Sequence, residues 1–286
     1  MKTVERVVAL GGGHGLASAL QAIRTYAFDV DGIVSVADDG GSSGRLRREL
    51  GLPAPGDIRR CLTALSGSRS MLARSLEHRF ETGPLEGHAV GNLIIAGLAD
   101  ASGDFAAAIT EMERLVDAQG RLHPATTVEV TLMAETDEGT ITGQVTIERA
   151  SGIHNLRLTD PTVAANPKAV EAIASADQIV LGPGSLFTSV LATAVVPGIR
   201  EALDAARGLR IYVSNVANDR AEARGFGLAE HMAALRDHHV QPDVVIVDVG
   251  QRPPDGPFKV ITAPLCGADG WSHDPLALAA VLSTLR

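Results

Sequence analysis

The chain has 286 residues, 45% hydrophobic and 21% charged, with a formal net charge of −9. This acidic balance argues against broad binding to nucleic acid or to anionic membrane surfaces, and no apolar run approaches the roughly 18 residues of a membrane span. Aromatic residues are only 3%, so the core must come from Leu, Val, Ile and Ala, in one large α/β unit or two small ones.

Arg6–Leu10 (RVVAL) is a short, continuous apolar run that ends in glycines, as a buried parallel strand does. Leu16, Ala19, Leu20 and Ile23 then fall at helical spacing over Leu16–Arg24. Gly32–Ala37 (GIVSVA) predicts a second strand, and Asp38 opens a loop. Pro55-Gly56-Asp57 predicts a helix entry with Asp57 as N-cap, followed by an i, i+3, i+4, i+7 face of Ile58, Cys61, Leu62 and Leu65. Further helices are expected over Met71–Phe80 and Ala89–Asp100.

The middle of the chain changes period. Thr127–Leu132 (TVEVTL) and Thr140–Ile147 (TITGQVTI) alternate apolar and polar residues around Asp137-Glu138-Gly139. They predict an antiparallel hairpin inserted at about 125–149. The α/β pattern then returns, with a helix over Asn166–Ala176 opened by Pro167 and strands at Ala176–Leu181, Leu209–Ser214 and Asp243–Val249. This order predicts a parallel sheet wound with helices, in one domain over 1–286 that carries the hairpin. The N-terminus enters a strand almost at once with no secretory leader, so a cytoplasmic protein is expected. Cys61 and Cys266 match no metal or redox spacing. They are expected as reduced, half-buried thiols, with one disulfide as the alternative.

Three glycine-rich loops stand where a strand should end and a helix begin: Gly11, Gly12, Gly13, His14 and Gly15; Gly40, Gly41, Ser42, Ser43 and Gly44; and Gly182, Gly184 and Ser185 around Pro183. Glycines let backbone N–H groups converge on an anion, and a following helix adds its dipole. Strand ends in a parallel sheet share one edge, so the loops should face one crevice; the alternative is three tight turns. The first loop gives neither a full dinucleotide fingerprint nor a P-loop, and no serine sits in a nucleophile elbow.

Arg45, Arg47 and Arg48 fall near a helix N-terminus, which is unfavourable for cations unless an anion is held there. Arg45 is the candidate phosphate contact, Arg47 and Arg48 would pair with Glu49 or water, and Arg59 and Arg60 raise the same question. Asp38, Asp39 and Asp57 could serve as base, Mg²⁺ ligand, ribose clamp or caps. His14 lies inside the first loop, whereas His238-His239 reads as a solvated loop.

GGGHGLASAL, VADDGGSSGRLRRE, PGDIRRCLTAL, GHAVGNLIIAGL and GPGSLFTSVL, in that order, resemble the YvcK-like proteins of bacteria, also called gluconeogenesis factors, of the CofD–YvcK superfamily. The resemblance spans nearly the whole chain. It implies a Rossmann-like, mostly parallel sheet with helices on both faces. It further implies binding of UDP-activated sugars, notably UDP-N-acetylglucosamine, and a role linking carbon metabolism to peptidoglycan synthesis and cell shape. Carried over, the ligand site would comprise Gly11 to Gly15, Asp38 to Arg45, Asp57, Asn92, Gly182 to Thr188 (with Leu186 and Phe187) and Asn215; Asn92 and Asn215 come from the resemblance alone. His14 stands where the family has threonine. Phe187 and Phe226 stand at tyrosines and Ala223 at a threonine, while Glu222 and Gly225 are kept and the stretch 250–259 looks shortened.

Two functions follow. A ligand-binding regulator needs no cofactor. A phospho-group transferase like CofD, the 2-phospho-L-lactate transferase, would hold Mg²⁺ on Asp38 or Asp57. The partner expected in either case is a phosphorylated small molecule, with no nucleic acid and no membrane insertion, and a homodimer is compatible with the fold type.

Overall fold

The computed structural model describes residues 2–67, 71–216 and 226–285. The first half runs β1 (Val4–Gly11), α1 (Gly13–Ile23), β2 (Ala27–Val34), α2 (Gly41–Leu50), α3 (Gly56–Leu65), α4 (Met71–Ser75), α5 (Val90–Ser102), α6 (Phe105–Leu115), β3 (Arg121–Pro124), β4 (Leu132–Thr136), β5 (Gly139–Thr142), α7 (Gln144–Arg149) and β6 (Ile153–Leu158). The second half runs α8 (Pro167–Ser175), β7 (Gln178–Leu181), a π-helix (Leu186–Leu191) continued by α9 (Ala192–Ala194), α10 (Pro197–Ala205), β8 (Leu209–Val213), α11 (Leu228–Asp237), β9 (Val244–Asp248), β10 (Lys259–Ala263) and α12 (Pro275–Leu282).

Seven strands form one sheet in the order β10-β9-β8-β7-β1-β2-β3, and every pairing in it is parallel. The chain winds outward from β1 to β3, returns to β7 on the other side of β1, and winds outward again to β10. The winding direction therefore reverses between β1 and β7. Connections leaving these neighbours diverge to opposite faces and open a crevice at the strand ends. Val7–Leu10 and Gln178–Leu181 are buried throughout, as interior parallel strands are when helices cover both faces. The expected face of α3 (Ile58, Cys61, Leu62, Leu65) is wholly buried, as are Leu16, Ala19, Leu20 and Ile23 of α1; each fully buried Leu or Ile contributes about 1.5–3 kcal/mol.

β4, β5 and β6 form a separate antiparallel sheet in the order β5-β4-β6. The turn at Asp137-Glu138 is where the sequence puts it, but the arms are not. Residues 127–131 lie outside any strand, Leu132–Thr136 is the first arm, and Ile147 belongs to α7. The reason is a cap from far away. Both carboxylate oxygens of Asp39 accept from this helix, Oδ2 from the N–H of Gln144 at 2.9 Å and Oδ1 from that of Val145 at 3.0 Å. That starts a helix where local alternation predicts strand.

Other boundaries moved for local reasons. β2 ends at Val34, and residues 35–39 run on without strand pairing. α3 begins after Pro55, so Asp57 lies in its first turn and is not its N-cap. α4 stops at Ser75 because the chain folds back on itself, with Phe80 N–H donating to His88 O at 3.0 Å and Gly87 N–H to Phe80 O at 2.8 Å. Arg47 is buried and pairs with Glu129 at 2.7 Å and Thr131 at 2.7 Å, not with Glu49. His238 is buried as well: its Nε2 accepts from Leu156 N–H at 2.8 Å, so Nδ1 donates to Ala234 O at 2.7 Å. It joins β6 to α11 and is not solvated. Cys61 is buried and Cys266 exposed, both as free thiols. Among the described residues no single helix is long and apolar enough to cross a membrane.

Candidate functional site

At the reversal between β1 and β7 lies a cavity of about 410 Å³. Its floor is the loop after β1 (Gly12, Gly13, His14, Gly15) and the loop after β7 (Gly184, Ser185, with Ser189). One wall is Asp38, Gly40, Gly41, Ser42 and Ser43, entering α2. The far wall is Gly56, Asp57, Arg59 and Arg60 of α3, with Arg79 and Asn92, and Gln144, Val145 and Glu148 of α7 close it from the smaller sheet. Two of the loops touch so closely that a Cβ on Gly15 would collide with the carbonyl of Pro183.

The remaining expected residues stand behind this lining. Gly11 O accepts from Ser35 N–H at 2.8 Å and Gly182 N–H donates to Leu10 O at 3.0 Å, so both hold the loops' bases. Asp39 is occupied by α7. Leu186, Phe187 and Thr188 open the π-helix and are buried. Phe187 packs edge-on against Phe226 and His238, at 6.0 and 6.4 Å between ring centres, so its missing hydroxyl is a matter of core packing. Asn215 does not present a free polar edge either: it accepts from Gly184 N–H and donates to Gly184 O, each at 2.9 Å. Glu222, Ala223 and Gly225 lie outside the described residues.

Arg45 turns away from the lining and donates to Glu86 O at 2.8 Å. The arginines of the cavity are Arg59, Arg60 and Arg79. Arg59 is only 2% exposed, and its Nη2 meets Glu77 Oε2 at 3.1 Å. Its Nε and Nη1 are buried and, among the described residues, have no hydrogen-bond partner. Burial pushes its pKa down and Glu77 pulls it back, yet a guanidinium stays charged. A buried cation with two unused donor nitrogens is costly and suits an anionic ligand. Its stem lies against Gly91, where a Cβ would come 2.7 Å from Arg59 Cγ.

Asn92 also carries a buried atom, Oδ1, that has no partner among the described residues. Its Nδ2 donates to Ser42 Oγ at 3.1 Å, and Ser42 Oγ lies 3.1 Å from His88 Nδ1. Burial, reinforced by the charge of Arg45, pushes the His88 pKa down.

Burial pushes the carboxyl pKa of Asp57 up. Arg60, bonded to Asp57 Oδ1 at 2.7 Å, pulls it down, the Asp38 carboxylate raises it, and the Gly13 N–H lowers it, with burial prevailing. The folded chain thus holds this proton more tightly than the unfolded chain does. No cost arises at acid pH, and a cost to folding appears as pH rises above the ordinary carboxylate range. Asp57→Asn should therefore melt higher than wild type at neutral pH, with the gap closing as pH falls through that range. A gap independent of pH would contradict the burial argument.

No group of three or more His, Cys, Asp or Glu placed to hold a metal occurs among the described residues. Asp38 and Asp57 do repel one another across the cavity. Two such carboxylates suit Mg²⁺, which keeps several waters and takes its remaining ligands from phosphate oxygens.

The CofD family model, described as 2-phospho-L-lactate transferase CofD, matches residues 7–261. A gluconeogenesis factor of Halalkalibacterium halodurans is 43% identical over 237 residues, covering 82% of this chain and 74% of that protein. Its counterpart in Bacillus subtilis is 40% identical over 236 residues, covering 82% and 74%. The crystal structure of a UPF0052 family member from Bacillus halodurans matches with a TM-score of 0.91 at 34% identity, over 99% of both chains. With the family model matching residues 7–261 and the fold agreeing over nearly the whole length, the chain belongs to the CofD–YvcK family, alongside relatives named gluconeogenesis factor.

Proposed function

We propose that the chain is a cytoplasmic regulator that binds a nucleotide-activated sugar of the UDP-N-acetylglucosamine type and so links carbon metabolism to peptidoglycan synthesis and cell shape. The observation that carries this reading is the convergence of three glycine-rich loops on one cavity whose far wall bears Arg59, Arg60 and Arg79. Backbone N–H groups and the start of α2 hold the diphosphate, and helix N-termini favour such charge. The guanidiniums complete the neutralisation.

A second reading, phospho-group transfer, is favoured by the Asp38–Asp57 pair and by the family's description. There Mg²⁺ would be held by these carboxylates and would neutralise charge on the transferred group. This chain's own part would be to orient the donor on its glycine loops and to polarise an acceptor hydroxyl through Ser42 and His88.

Calorimetric titration with UDP-N-acetylglucosamine, with and without Mg²⁺, separates the two. Under the regulator reading, wild type binds and the ligand is recovered intact. Arg79→Ala should weaken binding by about 10- to 150-fold, the value of one charge-assisted hydrogen bond. Arg45→Ala should change it little, because Arg45 lies outside the cavity lining. Mg²⁺-dependent conversion of the ligand would establish the transferase, and no binding at millimolar ligand would reject the regulator.

A further inference from the structure

We infer that Trp271 is the stacking platform for the base of the bound nucleotide, in a side chamber of the crevice. The inference rests on the nucleotide reading above and adds to it a direction for the ligand and a residue that senses the base.

The chamber has a volume of about 190 Å³. His14, Gly15, Gly184 and Ser185 line both it and the main cavity, so the two adjoin across these loops. Trp271, at its rim, is the only tryptophan of the chain and is 67% exposed. Its backbone is fixed in advance. Asp269 Oδ1 accepts from the N–H groups of Trp271 and Ser272, each at 2.9 Å, and Oδ2 accepts from Ser272 Oγ at 2.6 Å. Gly267 N–H donates to Ser272 O at 2.7 Å, and His273 Nε2 donates to Ser214 O at 2.9 Å. A rigid aromatic face loses little entropy when a flat ring stacks on it.

The glycine loops lie between this chamber and the arginine wall. A nucleoside diphosphate sugar has the same order: base, diphosphate, sugar. With the diphosphate between the loops and the arginines, the base falls on Trp271 and the sugar turns toward Gln144 and Glu148 of α7. The chamber's polar side chains are largely committed already. Ser18 donates to His14 O at 3.1 Å, Ser272 to Asp269, and Asn215 is spent on Gly184. Recognition is therefore by stacking, and bases should be discriminated weakly: UDP and GDP should bind within about tenfold of each other.

The lone tryptophan is its own reporter. Its fluorescence would be titrated on the full chain with UDP-N-acetylglucosamine, UDP, GDP and pyrophosphate, with calorimetry in parallel. Quenching is expected with every nucleotide and not with pyrophosphate. Trp271→Ala should weaken UDP by about 5- to 150-fold and leave pyrophosphate unchanged, with Trp271→Phe recovering most of the loss; the exposed site makes misfolding no obstacle. Calorimetric binding of UDP-N-acetylglucosamine without quenching, and without loss in Trp271→Ala, would overturn the platform while leaving the nucleotide reading intact. Failure of every nucleotide to bind by calorimetry would overturn both.

Discussion

Gly15→Ala is expected to abolish ligand binding in the crevice. Gly15 sits in the first turn of α1, and its Cβ would strike the carbonyl of Pro183 and come 2.9 Å from Gly184 Cα. Both obstacles are backbone, so the loop after β7 must move. Overpacking of this kind costs about 1–3 kcal/mol, and displacing a preorganised anion cradle by an ångström costs roughly 100-fold in function. Gly97→Ala is the control. It lies in α5 with nothing within 4 Å of its Cβ, and it should stabilise the fold by about 0.5–1 kcal/mol. Thermal melts and calorimetry on both variants check the pair, and a Gly15→Ala variant with normal affinity would remove the glycine loops from the site.

Arg59→Met should separate stability from binding. Arg59 is buried, its ionic partner Glu77 is partly exposed, and two of its nitrogens have no partner among the described residues. An apolar side chain of similar length relieves the buried charge and leaves Glu77 free to hydrate. The melting temperature should stay level or rise. Ligand affinity should fall by about 10- to 150-fold, the loss of a charge-assisted hydrogen bond of 1.5–3 kcal/mol. A fall in both would mark Arg59 as structural, and a fall in neither would leave the anion to Arg60 and Arg79.

The parts legible in the sequence are those whose chemistry is local. RVVAL and ADQIVL announce buried strands because an interior parallel strand is apolar on both faces, and glycines that crowd backbone groups together mark the loops. The hairpin arms were misplaced because α7 owes its start to Asp39, more than 100 residues earlier. Arg45 was the natural phosphate contact on dipole grounds, but it satisfies its charge on the carbonyl of Glu86, in a segment that only folding brings near. Arg59 was underrated for the converse reason. In the sequence it raises the same question as Arg45 less sharply, and only the missing side chain of Gly91 lets it sink into the wall. Phe187, next to Ser185 in a glycine loop, reads as a ligand residue until the π-helix turns it into the core with Phe226 and His238.

The bond from Asp39 to α7 also bears on the order of events during synthesis. The loop that lines the crevice emerges early, yet its neighbour Asp39 has no partner until residues 144 and 145 follow, 105 and 106 positions later. Arg47 likewise waits for Glu129 and Thr131. A fragment ending near residue 125 would contain β1, β2 and β3 but leave Asp39 without its α7 donors and Arg47 with only its bond to Ala37 O. The smaller sheet is thus the late-arriving clasp of the earliest-made wall, and a fragment lacking it should hold ligand poorly.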